Sequence, residues 1–107
     1  MVAPKVTTGD RNTAIGYNSL TANDTGKKNT AVGYGSMASN TSGQLNTAVG
    51  HDALEYGSSG NRNTALGFEA LRVNSASYYN TGVGAGALTD ANRTSDTDGY
   101  NTALGYN

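Results

Sequence analysis

An Asn-Thr pair returns at Asn12, Asn29, Asn46, Asn63, Asn80 and Asn101, four times at a 17-residue spacing and once at a 21-residue spacing. Self-similarity at a fixed period marks architectures in which one small unit stacks on the next. Aligned on that Asn, the segments read NTAIGYNSL, NTAVGYGSM, NTAVGHDAL, NTALGFEAL, NTGVGAGAL and NTALGYN. The array therefore spans residues 12–107, divided as 12–28, 29–45, 46–62, 63–79, 80–100 and 101–107. Residues 1–11 read as the end of a preceding repeat or linker, so the chain is expected to be a fragment of a longer array.

Each column has a physical meaning. The fourth position holds a branched aliphatic (Ile15, Val32, Val49, Leu66, Val83, Leu104), and the ninth holds Leu20, Met37, Leu54, Leu71 and Leu88. These are the large apolar columns, so both are expected to form the core ladder. Thr13 and its equivalents stand two residues before the aliphatic and share its face of a strand, because side chains alternate with period two. Between them lies a small residue: Ala14, Ala31, Ala48, Ala65, Gly82 and Ala103. That small column is the expected contact surface between chains. Gly16, Gly33, Gly50, Gly67, Gly84 and Gly105 read as bends needing positive φ or a close approach. Linkers rich in Asn, Ser, Thr, Asp and Gly carry turn chemistry.

A helical reading fails, because no 3.6-residue apolar period is sustained. The pattern predicts an all-β chain, a parallel β-solenoid or β-roll of about six 17-residue coils with one or two short strands each. Equivalent strands then pair in parallel, ~4.8 Å apart. Two large aliphatics per coil bury little apolar surface against the cost of ordering the whole coil. The missing burial is expected from other copies of the chain.

The NTAIG, NTAVG and NTALG segments, followed by a small residue and Leu, resemble the head repeats of trimeric autotransporter adhesins. They are also similar to the NTAxGxxAL arrays of phage tail fibres. The resemblance covers about residues 7–107. It implies a left-handed trimeric β-roll in which Thr13 and Ile15, with their equivalents, face the roll interior. It also implies a homotrimer with a role in fibre building or attachment, located outside the cell, on its surface or on a virion. Adhesin head repeats are usually shorter than the repeat found here, so the linkers are an elaboration.

Composition excludes several other classes. The formal net charge is -1 and the seven basic residues are scattered, with Lys27-Lys28 the only adjacent pair, which argues against nucleic acid. There is no cysteine, hence no disulfide or thiolate chemistry. No apolar run approaches the ~20 residues that span a membrane, and Met1 to Val6 do not form a signal peptide. No cofactor is implied.

Candidate chemistry is sparse. His51 has no second His or Cys as partner and occupies a ring column with Tyr17, Tyr34, Phe68 and Tyr106. It reads as one variant of a surface ring rather than a catalyst. The ring column is a candidate ligand contact, for a glycan or a cell-surface receptor, although packing is the favoured reading; Tyr78-Tyr79 is treated alike. Rows of Thr raise ice binding, against which stands an interior or interface position beside the core aliphatic. Asn ladders are expected to pair amides up the stack or to hold water or an anion on a trimer axis.

The last linker carries Asp90, Asn92, Asp96, Asp98 and Gly99, an oxygen-rich run. It matches a calcium loop poorly and reads as turns. Asp52 and Glu69 share a column one coil apart, which suggests a solvated face rather than a glycosidase pair. No phosphate loop or nucleophile elbow is present. The expected function is a non-enzymatic, rigid trimeric fibre segment, with end-to-end stacking into filaments at its open edges. A monomeric ice-binding solenoid and a carbohydrate-binding fibre tip are the alternatives.

Overall fold

A computed structural model describes residues 8–90 and 99–106. Asn92, Asp96 and Asp98 of the candidate calcium loop, and most of the segment before Arg11, lie outside them. The chain is all-β among the described residues. Six three-residue strands run Thr13–Ile15 (β1), Thr30–Val32 (β2), Thr47–Val49 (β3), Thr64–Leu66 (β4), Thr81–Val83 (β5) and Thr102–Leu104 (β6). They form one parallel sheet in chain order, a β-solenoid. Register is strict: Thr pairs with Thr, the small residue with the small residue and the aliphatic with the aliphatic at every step. The longer last step keeps this register, because Thr81 still pairs with Thr102.

Each strand gains from its neighbours what three residues cannot supply alone. The Thr N–H of one coil donates to the Asn carbonyl of the next, as Thr30 to Asn46 at 2.9 Å and Thr64 to Asn80 at 2.8 Å. The Gly N–H donates back to the preceding aliphatic, as Gly50 to Val32 at 2.8 Å. The Gly column has φ between 123° and 142°. A methyl on Gly67 would stand 2.6 Å from the Gly84 carbonyl oxygen, so both the bend and the stacking distance demand glycine here.

The core differs from expectation. Of the two large aliphatic columns only the ninth-position one is interior: Leu20, Met37 and Leu71 are 0% exposed and Leu54 1%, with Leu88 partly buried at one end. The fourth-position column points outward. Ile15, Val49, Leu66 and Leu104 are exposed, and Val32 and Val83 are half-buried. Ala31, Ala48 and Ala65 are fully buried instead, and Gly82 is buried with them. The small column is therefore not a contact surface between chains, and Thr13 and Ile15 do not face the interior. The physical reason is volume. Ala packs inward against the Leu ladder and the buried amides, and strand alternation then turns Thr and the aliphatic outward together.

The ninth-position residues reach the interior through an unusual backbone. Leu20, Met37, Leu54, Leu71 and Leu88 have φ of 51–54°, in the left-handed region. The seventh position (Asn18, Gly35, Asp52, Glu69, Gly86) and the residue before each Asn (Lys28, Leu45, Arg62, Tyr79, Tyr100) are left-handed as well. Such conformations cost non-glycine residues about 1–3 kcal/mol each and persist only where surrounding contacts determine them. Here the coil-to-coil hydrogen bonds do so, as Leu54 N–H to Ala70 O at 3.0 Å and Leu71 N–H to Ala87 O at 3.0 Å.

Buried amides complete the interior. Each Asn of the Asn-Thr pair accepts from the next Asn backbone N–H, at 2.9 Å for Asn29 to Asn12 and for Asn63 to Asn46. The first four also donate to a turn carbonyl, as Asn29 Nδ2 to Gly43 O at 2.7 Å and Asn46 Nδ2 to Gly60 O at 2.8 Å, whereas Asn80 Nδ2 donates to Asn74 Oδ1 at 2.9 Å. The ladder lies inside a single coil stack, so it holds backbone rather than an ion on an axis between chains.

Candidate functional site

The strand face is one ordered feature that the fold turns outward. Strict register converts the sequence columns into two parallel ladders. One is Thr13, Thr30, Thr47, Thr64, Thr81 and Thr102; the other is the six aliphatics from Ile15 to Leu104. Neighbouring rungs are ~4.8 Å apart and the two ladders ~6.6 Å apart along each strand. In the aliphatic ladder Ile15, Val49, Leu66 and Leu104 are exposed, and Val32 and Val83 are half-buried.

Beyond the Gly bend stands the ring ladder. Tyr17 stacks on Tyr34 with ring centroids 5.4 Å apart, Tyr34 on His51 at 4.9 Å, and His51 faces Phe68 at 5.4 Å. Tyr17, Tyr34 and Phe68 are more than half exposed. Tyr106 is exposed at the end of the array, and Ala85 interrupts the column before it. His51 Nδ1 lies 3.1 Å from Asp52 Oδ2. Among the described residues no three His, Cys, Asp or Glu side chains gather as a metal would require.

Two charged clusters lie elsewhere. Arg72 Nε bonds Glu55 Oε2 at 2.7 Å and approaches Glu69 Oε1 at 3.8 Å, with its guanidinium 5.6 Å from the Tyr56 ring centre. The hydrogen bond to Glu55 raises the Arg72 pKa above its ordinary value. This is a surface network of little energetic weight. Arg62, Tyr79 and Tyr100 form the second cluster, in the column that precedes each Asn. Tyr79 and Tyr100 are stacked nearly parallel at 4.7 Å.

Sequence reasoning found the ring column and the Thr row but missed two features. One is the second buried amide column, Asn23, Asn40 and Asn74, which lies in segments that read as ordinary turns. The signal was present, since all three stand three residues after the ninth-position residue. The other is the Arg62–Tyr79–Tyr100 cluster, visible only once the coils are stacked.

Fold and surface together define the class: a parallel β-solenoid repeat protein with one partly apolar sheet face. No protein-family model, curated protein or solved structure matches the chain. Among the described residues no helix is long and apolar enough to cross a membrane.

Proposed function

We propose that this chain is a rigid structural and interaction module whose copies pack side by side through the strand face. The observation that carries this reading is the outward aliphatic ladder, with Ile15 52%, Val49 39% and Leu66 37% exposed in the single chain. One large side chain per coil is interior rather than two, so the single coil stack is left short of apolar burial. A second and third copy covering the stripe supply it. The resemblance of the NTAxG segments to adhesin heads and tail fibres supports three copies, an extracellular, cell-surface or virion setting, and a role in attachment. The contact is the Thr and aliphatic face rather than the Ala column. Repeating columns, with no clustered acid, base and nucleophile among the described residues, support a non-enzymatic role.

Light scattering after size exclusion tests the reading. A mass three times that of the chain is expected, falling to the monomer mass in Leu66→Asp with circular dichroism unchanged. A folded wild-type monomer would remove it.

One observation favours a second reading in that event. The Thr ladder is not interior, as an ice-binding solenoid requires of its Thr row. Thermal hysteresis from a monomer, lost in Thr47→Tyr, would then replace the fibre reading. Glycan binding at Tyr17 and Tyr34, the remaining alternative, has the exposed ring ladder in its support.

A further inference from the structure

A groove of about 270 Å³ opens beside the second cluster, lined by Asn61, Arg62, Tyr78, Tyr79 and Tyr100. Its floor is built by left-handed residues: Arg62, Tyr79 and Tyr100 have φ of 56°, 59° and 49°, and all three side chains are turned outward. Arg62 lies over the Tyr79 ring, 5.4 Å from its centre, and Nη1 donates to the Tyr79 hydroxyl at 2.7 Å. A guanidinium has five N–H donors in a planar fork. One is engaged, and among the described residues no carboxylate pairs with Arg62. The Asn61 amide is oriented, because its Oδ1 accepts from the Gln44 N–H at 2.7 Å. Its Nδ2 is thereby presented as a further donor.

The groove thus combines fixed donors with aromatic carbon and has a cationic end. Earlier in the same column Lys28 and Leu45 stand in place of the rings. A ligand that complements the groove needs a carboxylate for the Arg62 fork, hydroxyl oxygens for the amide and phenols, and C–H surface for the rings.

We propose that this groove binds a sugar acid, with the carboxylate on Arg62, ring hydroxyls on Asn61 Nδ2 and the tyrosine hydroxyls, and the C–H surface against Tyr78 and the outer face of Tyr100. The site lies outside the strands and does not depend on side-by-side assembly of copies.

Titration of the assembled protein, followed by the NMR signals of the Arg62 and tyrosine side chains, tests it. Methyl β-D-glucuronoside is expected to give saturable shifts at Arg62, Tyr79 and Tyr100, with a Kd on the order of 1 mM. Methyl β-D-glucoside, which differs only in carrying a hydroxymethyl group for the carboxylate, and acetate, which lacks the ring, are each expected to bind at least about tenfold more weakly. Arg62→Gln should erase the preference for the glucuronoside. Tyr100→Ala should weaken both glycosides, and Tyr56→Ala, at an exposed ring outside the groove, should change neither. Equal binding of the two glycosides, equal binding of acetate and the glucuronoside, or no saturable shift with any probe overturns the proposal. None of these outcomes alters the solution mass, so this site and the fibre reading fail separately.

Discussion

A single amide decides how well one coil is joined to the next. Asn40 Nδ2 donates to Asn23 Oδ1 at 2.7 Å, and the column continues at Asn74. Between them Gly57 occupies the position, and the fully buried Asn40 Oδ1 is left without a partner. A buried acceptor without a donor costs about 1–3 kcal/mol. Gly57→Asn supplies the donor. Its Cβ would stand 2.8 Å from Leu54 Cγ, so Leu54 must shift. The same spacing is already accommodated at Leu20 with Asn23 and at Leu71 with Asn74, all fully buried. The substitution is therefore expected to raise stability by about 1 kcal/mol in urea denaturation. An unchanged or lower midpoint would mean that the Leu54 packing outweighs the missing hydrogen bond.

At the scale of the element, a short parallel strand in each repeat was readable, but its bounds and its facing were not. Period-two alternation says that Thr13 and Ile15 share a side, and that Ala14 takes the other. It does not say which side is inward. Size favoured Ile and Val, while the narrow coil admits only Ala. Nor was the left-handed backbone at Leu20 or Leu71 legible, because leucine has no local preference for it. The turn at that position is imposed by hydrogen bonds from the neighbouring coil, which form only after stacking. The glycine column was legible, since its φ and its close approach are both properties of one residue type. The inverted facing makes a sharp contrast between two truncations. Leu54→Ala opens an interior cavity and is expected to cost about 2–5 kcal/mol. Val49→Ala removes outward surface and should cost less than about 1 kcal/mol in the isolated chain. Equal costs in denaturant titrations of the two variants would restore the aliphatic column to the core.

For the whole molecule, stability is a sum over coils and their interfaces, since each coil touches only its neighbours. The extents of 31 × 25 × 18 Å describe a thin stack with one layer of side chains inside. Excision of residues 46–62 joins Leu45 to Asn63 and keeps every column in phase. That shortened chain is expected to fold with the same sheet and a lower melting temperature. Excision of 46–61 leaves one extra residue between Leu45 and Asn63; since the step from β5 to β6 carries four extra residues and keeps its register, this chain is expected to pair its two halves as well. Circular dichroism and hydrogen exchange separate the outcomes. Loss of the sheet after the shorter excision alone would mean that the linkers cannot absorb an extra residue there.

The in-phase sheet has an evolutionary corollary. Near-identical repeats at the gene level invite unequal recombination, and every such event adds or removes one whole unit. Because β5 and β6 stay aligned across the longer step from Asn80 to Asn101, even an imperfect exchange whose extra codons fall between strands yields a foldable product. Rod length can then vary among descendants in increments of one ~4.8 Å rung while the pattern along the outer face is inherited unchanged.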